Sequence, residues 1–174
     1  MGESIYGLKR THRCAELGLG DVGKTVTVMG WVNKRRDLGG VVFIDLRDRS
    51  GILQVVFNAK NGEELIKKAE RIRSEYVIAV IGEVVKRDPE TVNPRISTGE
   101  IEVMAKELRI LSESETPPIY IEEDSEANES IRLKYRYLDL RRPDMQRNLI
   151  MRHKVAKIAR DYFDAEGFLE IETP

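Results

Sequence analysis

The chain has 174 residues, enough for one domain of ordinary size and part of a second. Its 29 lysines and arginines nearly balance its 30 aspartates and glutamates, so net charge alone predicts neither nucleic acid nor an acidic partner. The single cysteine, Cys14, excludes an internal disulfide, and with two histidines we expect no metal site. With no apolar run of membrane-spanning length and no signal peptide, we expect a soluble cytoplasmic protein.

The first half of the chain alternates apolar and polar residues in the manner of half-buried strands. Three such stretches are residues 25–32, 41–47 and 52–57. The polar run 34–40, which ends in two glycines, predicts a turn between the first two, and residues 48–51 predict another. The three strands are therefore expected to form a meander.

The spacing of apolar residues changes to a helical period over residues 61–73. Two further strands are predicted at residues 76–85 and 100–111, separated by the turn-rich segment 88–99. Three strands, a helix and two strands is the order of an OB-fold. We therefore predict a mainly β domain, a five-stranded barrel with one helix between strands 3 and 4, over residues 1–111.

The composition changes twice after the predicted barrel. Residues 112–130 contain seven acidic residues and no basic one, which predicts a linker. Residues 131–174 begin with a basic run and continue into an amphipathic helix, which Gly167 is placed to end. A short strand is predicted at 168–171, so this third region is expected to be the incomplete start of an α+β domain.

One face of the predicted barrel combines residues that suit single-stranded RNA. Phe43 lies opposite the apolar side of the second strand, where a ring can stack on a base, and Gln54 on the third strand offers an amide to a base edge. The cations Lys34, Arg35 and Arg36 are placed to hold phosphates. Glu102 can accept from guanine. Each residue also has an ordinary structural explanation, as core or solvated surface.

Four strings closely resemble the anticodon-binding portion of bacterial aspartyl-tRNA synthetases. They are residues 30–49 (GWVNKRRDLGGVVFIDLRDR), 98–103 (TGEIEV), 132–142 (RLKYRYLDLRR) and 167–174 (GFLEIETP). The resemblance implies a class II synthetase whose N-terminal OB-fold holds the anticodon loop. The tyrosine-containing and double-glycine strings look aspartyl rather than asparaginyl or lysyl.

Carried over by position, the resemblance implies roles for six residues in binding the aspartate tRNA anticodon. Phe43 would stack on the central uracil, Gln54 would read its edge, and Glu102 would meet the first anticodon base. Arg36 and Arg87 would hold the loop. Asn93, in the long segment before the last strand, would bind RNA as well. Pro174 would lie in motif 1, the dimer interface of the parent enzyme.

The same resemblance implies that the parent enzyme uses ATP and Mg²⁺ to join aspartate to its tRNA, as a homodimer. The ATP and aspartate sites of the family lie beyond Pro174, so we expect no catalytic residue in this chain and no ligase activity from it alone. Two other hypotheses stay open. In the first, the chain is a free-standing OB-fold that binds single-stranded nucleic acid without anticodon preference. In the second, the chain has a structural role, and its last helix serves mainly to form a dimer.

Overall fold

A computed structural model describes residues 2–58 and 62–173. The chain forms two compact units, Met1–Thr116 and Pro117–Pro174. The predicted linker at 112–130 stays a prediction, because compactness does not identify a linker.

The first unit is a closed barrel of five strands. The strands are β1 (Thr25–Asp37), β2 (Val42–Arg47), β3 (Ile52–Phe57), β4 (Val77–Lys86) and β5 (Ile101–Ser112). Around the barrel the order is β1-β2-β3-β5-β4, and only β3 and β5 pair in parallel. Helix α1 (Glu63–Glu70) lies between β3 and β4 in the chain. The predicted five-stranded OB-fold is confirmed.

The barrel core is built by the inward-facing side chains of the alternating strands. Val28, Ile44 and Leu53 are each fully buried, and α1 adds Ile66 and Ala69. Complete burial of a side chain of this size contributes roughly 1.5–3 kcal/mol. The alternation that places these residues inside places their chain neighbours on the outer face.

Two glycines allow neighbouring strands of the barrel to approach closely. A Cβ atom on Gly30 would lie 2.4 Å from the carbonyl oxygen of Arg47, and one on Gly82 would lie 2.5 Å from that of Met104. Both distances are shorter than a carbon–oxygen contact permits. Any side chain at either position would push two paired strands apart.

The predicted turn at residues 34–40 is wrong in its extent. Lys34 to Asp37 continue β1, because each finds a pairing partner on β2, and the turn is closed by a hydrogen bond of 3.0 Å from Leu38 N to Val41 O. A polar run on a strand with a solvated outer face looks like a turn in sequence. The helix predicted at 61–73 is found from Glu63 to Glu70, and its predicted first residue, Asn61, lies outside the described residues.

The second unit is helical where it has regular structure. It contains α2 (Glu129–Lys134), α3 (Arg136–Asp139) and α4 (Pro143–Ala165). Asn128 caps α2 by accepting a hydrogen bond of 2.9 Å from Ser130 N. Gly167 has a φ of 83°, and Phe168 N donates back to Phe163 O at 3.0 Å, which ends α4 as predicted.

The strand predicted at residues 168–171 is wrong. These residues have no regular secondary structure, and Phe168, Leu169 and Ile171 are exposed. A strand needs a neighbour to accept and donate its backbone hydrogen bonds, and no strand lies beside this segment among residues 117–173.

One carboxylate of the second unit is buried and surrounded by guanidinium groups. Asp139 is completely buried, and it accepts hydrogen bonds of 2.7–3.0 Å from Arg132, Arg136 and Arg142. Burial by itself would raise the pKa of Asp139. The hydrogen bonds from Arg132 and Arg142 and the charges of both residues outweigh burial, and the pKa lies below its ordinary value. Asp139 is therefore ionised at neutral pH.

Candidate nucleic-acid interface

Five of the six residues predicted to bind RNA meet on one face of the barrel. They are Arg36, Phe43, Gln54, Arg87 and Glu102, and the contacts described below connect them into one group, the face cluster. Strand pairing explains why these residues lie close together. Arg36 pairs with Phe43 across β1 and β2, and Gln54 pairs with Asp45 across β2 and β3.

Arg36 lies at one side of the face cluster. Its Nη2 atom donates to Asp45 Oδ1 at 2.7 Å and to Gln54 Oε1 at 3.0 Å. Its guanidinium carbon lies 5.8 Å from the centroid of the Phe43 ring, within cation–π range. Arg36 is thus held by a charge, an amide and a ring while two fifths of its side chain stays exposed.

Gln54 joins the two sides of the cluster. It is 7% exposed, and its amide uses both ends, accepting from Arg36 and donating from Nε2 to Glu102 Oε2 at 2.7 Å. These two partners fix which end of the amide is oxygen and which is nitrogen. The remaining amide hydrogen and oxygen lone pair have a defined direction, as reading a base edge requires.

Arg87 and Glu102 form the other side. Arg87 follows β4 and is 5% exposed, with Nε donating to Ile101 O at 3.0 Å and Nη1 to Thr91 O at 3.3 Å. Its Nε atom lies 3.7 Å from Glu102 Oε2. Burial lowers the pKa of Arg87, and the Glu102 carboxylate opposes that change. The guanidinium of Arg87 remains charged, since it starts from a very basic value.

Two buried nitrogen atoms of this cluster lack a hydrogen-bond partner. Arg36 Nε and Arg87 Nη2 are both enclosed, and neither donates to any atom of residues 2–58 and 62–173. An unsatisfied buried donor costs roughly 1–3 kcal/mol, and more when the group is charged. Both donors belong to the face cluster.

Asn93, the sixth residue predicted to bind RNA, makes its hydrogen bonds within its own loop. Its Oδ1 atom accepts from Arg95 N at 3.0 Å, and its backbone N–H donates to Gly99 O at 3.1 Å. These bonds shape the loop before β5. Pro174, predicted in a dimer interface, lies outside the described residues.

Sequence reasoning missed Asp45, which holds Arg36. The signal was present, because the alternation of Val42 and Ile44 that placed Phe43 outward places Asp45 outward as well. The predicted phosphate contacts Lys34 and Arg35 are exposed on β1.

Two other kinds of feature are absent from the described residues. Within them, no three histidine, cysteine or acidic side chains are grouped to hold a metal ion. In the same part of the chain, no helix combines the length and apolarity that crossing a membrane requires.

Two family models match the chain. The one described as an OB-fold nucleic acid binding domain matches residues 26–111, and the one described as tRNA synthetases class II (D, K and N) matches residues 128–174.

The chain is also similar to named proteins. It is 67% identical over its whole length to an aspartate–tRNA ligase of Ruminiclostridium cellulolyticum and 64% identical to an aspartate–tRNA(Asp/Asn) ligase of Caldanaerobacter subterraneus subsp. tengcongensis. It covers 29% of each relative. A crystal structure of asparaginyl-tRNA synthetase from Pyrococcus horikoshii, complexed with asparaginyl-adenylate, superposes with a TM-score of 0.82 at 27% identity, covering 96% of this chain and 37% of that one.

Proposed function

Because the chain belongs to the aspartate–tRNA ligase family of class II synthetases, we propose that its barrel binds the anticodon loop of aspartate tRNA. The observation that carries the proposal is the face cluster, in which the half-buried Phe43 ring lies beside the Arg36 guanidinium. Gln54 and Glu102 connect Arg36 to Arg87, and each of the two arginines has one donor without a partner among the described residues. A loop of RNA offers unstacked bases to the ring and acceptor atoms to the donors.

The roles within the cluster follow from its chemistry and from the resemblance. Phe43 stacks on the central uracil, and Gln54 reads the edge of the same base through its free amide positions. Glu102 accepts from the amino and imino groups of a guanine at the first position. Arg36 and Arg87 donate to the loop, and Asn93 contacts it from the segment before β5.

The larger reaction belongs to the proposal as well, since the chain covers 29% of its curated relatives. The parent enzyme would form aspartyl-tRNA from aspartate, ATP and tRNA, with Mg²⁺, as a cytoplasmic homodimer with Pro174 at its interface. In this chain we assign residues 1–111 to anticodon binding, 112–130 to a linker and 131–174 to the start of the catalytic domain. No residue of the chain is assigned a step in adenylation, and we expect the isolated chain to be inactive.

Replacing the stacking ring tests the proposal. Phe43→Ala is expected to weaken binding of an aspartate anticodon stem-loop by about 1–3 kcal/mol, the value of one base–aromatic stack. Fluorescence anisotropy with labelled RNA measures it. Phe168→Ala is the matched control, because Phe168 is an exposed phenylalanine of the second unit. Equal affinities of wild type and Phe43→Ala would reject the proposed stacking.

The alternative function, a barrel that binds single strands without anticodon preference, has support from the exposed cations Lys34 and Arg35. Such charges hold phosphates in any sequence. Competition between the stem-loop and one with a scrambled loop of equal length separates the two functions. Equal competition would favour the alternative, and a strong preference for the natural loop is what anticodon reading predicts.

A further inference from the structure

The first strand of the barrel contains an extra residue at Asn33. Val32 pairs with Leu46, but Lys34 pairs with the next residue of β2, Asp45, so Asn33 has no partner in the pairing. One residue on β2 is therefore opposed by two on β1, which is a β-bulge.

The bulge decides which way the rest of β1 faces. Side chains along a regular strand alternate, so the inward Val32 would place Lys34 and Arg36 inward as well. Because Asn33 is inserted, the alternation reverses, and Arg36 comes to lie beside Phe43 on the outer face. Without the bulge Arg36 would lie on the face of Ile44 and not beside Phe43.

Three side chains and a turn hold the bulge in place. Arg47 Nη1 donates to Asn33 Oδ1 at 2.7 Å, and Arg47 Nη2 donates to both carboxylate oxygens of Glu75 at 2.8 Å. The side chains of Arg47 and Glu75 are only 14% and 9% exposed. A charge pair this enclosed is strong and directional.

The backbone strengthens the same attachment. Glu75 N donates to Val32 O at 2.7 Å, and Val32 N donates to Tyr76 O at 2.9 Å. Glu75 adopts a left-handed φ of 64°, which is uncommon for a residue other than glycine. The turn before β4 is thus fastened to β1 at the position where the bulge occurs.

We infer that Asn33, Arg47 and Glu75 form a brace whose task is to position Arg36 for RNA. The inference rests on the proposed function, since it explains how one of the RNA-binding residues reaches the binding face. The three are positioning residues and need not touch RNA themselves. They lie outside the face cluster, and their positions in the sequence do not by themselves indicate this positioning role.

A double-mutant cycle tests the brace. Asn33→Ala removes the acceptor of Arg47, and Arg36→Ala removes the side chain that the brace is inferred to position. Asn33→Ala is expected to weaken stem-loop binding about tenfold in the wild-type background, the scale of one charge-assisted hydrogen bond, and to have no further effect when Arg36 is already alanine. Affinities are measured at a temperature where thermal unfolding curves show every variant folded.

The outcomes separate this inference from the proposed function. Equal loss in both backgrounds, or no loss in either, overturns the brace, because a purely structural change would not depend on Arg36. Asn148→Ala, at an exposed position on α4, should bind as wild type does. If Phe43→Ala fails to weaken binding, the proposed function is rejected and not the brace alone. Should Asn33→Ala not fold, Glu75→Gln keeps the side-chain volume while removing the charge, and carries the same cycle.

Discussion

Each unit of the chain brings arginine and carboxylate side chains together, but the two groups differ in which enclosed atoms lack a hydrogen-bond partner. In the second unit, the Asp139 carboxylate uses both oxygens to accept from three arginines, and the one enclosed atom left without a partner among the described residues is an acceptor, Asp144 Oδ1. In the described part of the barrel, the enclosed atoms left over are donors, Arg36 Nε and Arg87 Nη2.

Under the proposed function, that difference separates a structural network from an RNA-binding surface. A buried carboxylate with several charged donors fixes the elements that supply them, and removing it leaves uncompensated charge. An enclosed donor atom without a partner costs stability in the free protein, and a ligand that rearranges the cluster and supplies an acceptor would recover that cost. We therefore expect changes near Asp139 to affect folding and changes in the face cluster to affect binding.

The largest expected effect is that of Asp139→Asn on the stability of the second unit. The variant keeps the side-chain shape but removes the counter-charge of Arg132 and Arg136, while Arg142 keeps its ion pair with Asp144. The free energy of unfolding should fall by about 3 kcal/mol, the lower end of the cost of breaking a buried ion pair. Urea unfolding followed by helical circular dichroism measures it. Affinity for the anticodon stem-loop is expected to stay unchanged.

The pH dependence of unfolding checks the cause of that loss. Because the folded-state pKa of Asp139 lies below its unfolded value, its contribution is complete above that unfolded value, about 4, and disappears as the pH falls through the folded pKa. Asp139→Asn should therefore flatten the acid limb of the stability curve. Asp161→Asn, which changes an exposed carboxylate on α4, should leave it as in wild type. Two equally steep acid limbs would show that Asp139 is not the group responsible.

The next effect is that of Glu102→Gln on binding. The change removes the carboxylate near Arg87 and one acceptor from the proposed guanine contact, so affinity should fall by about 1.5–3 kcal/mol, the value of a hydrogen bond to a charged group. Preference for guanine at the first anticodon position should fall with it. Glu107→Gln is the control, since Glu107 is an exposed carboxylate on the same strand. A full affinity with an unaltered base preference would remove Glu102 from the site.

The smallest expected effect concerns the exposed charges of β1. Lys34→Ala should reduce the slope of log affinity against log salt by about 0.7, the value for one phosphate contact on a single strand, and should do so equally for natural and scrambled loops. Lys67→Ala, an exposed lysine on α1, should leave the slope unchanged. A loop-dependent effect of Lys34 would mean that it reads bases and does not merely hold phosphate.

Much of the barrel could be predicted because its strands alternate in sequence. Val26, Val28, Ile44 and Leu46 were expected on the inner side, and they are buried. The bulge was not predicted, because one inserted residue in a polar run reads as the start of a turn. The failed strand at 168–171 has another cause, since a strand depends on a neighbour that local sequence does not reveal.

The candidate site also has one part that sequence predicts and one part that it does not. Phe43 could be placed on the outer face from alternation, and Gln54 stands out as the one polar residue of β3. The approach of Arg87 to Glu102 depends on how β4 and β5 close the barrel. The parts that sequence could not supply were the pairings between side chains. Asp45 could not be predicted because an acidic residue on an outer strand face is usually solvated. Its role depends on the hydrogen bond that it accepts from Arg36, which only the structure shows.

The most direct test of the central claim is to watch the arginine Nε–H groups by NMR while the anticodon stem-loop is added. Arg36 Nε has no partner among the described residues of the free protein, while Arg87 Nε donates to Ile101 O and Arg132 Nε to Asp139. Binding of the loop at the face cluster predicts a large shift of the Arg36 signal, with the Arg132 signal unmoved. An unmoved Arg36 signal at saturating RNA would contradict that claim.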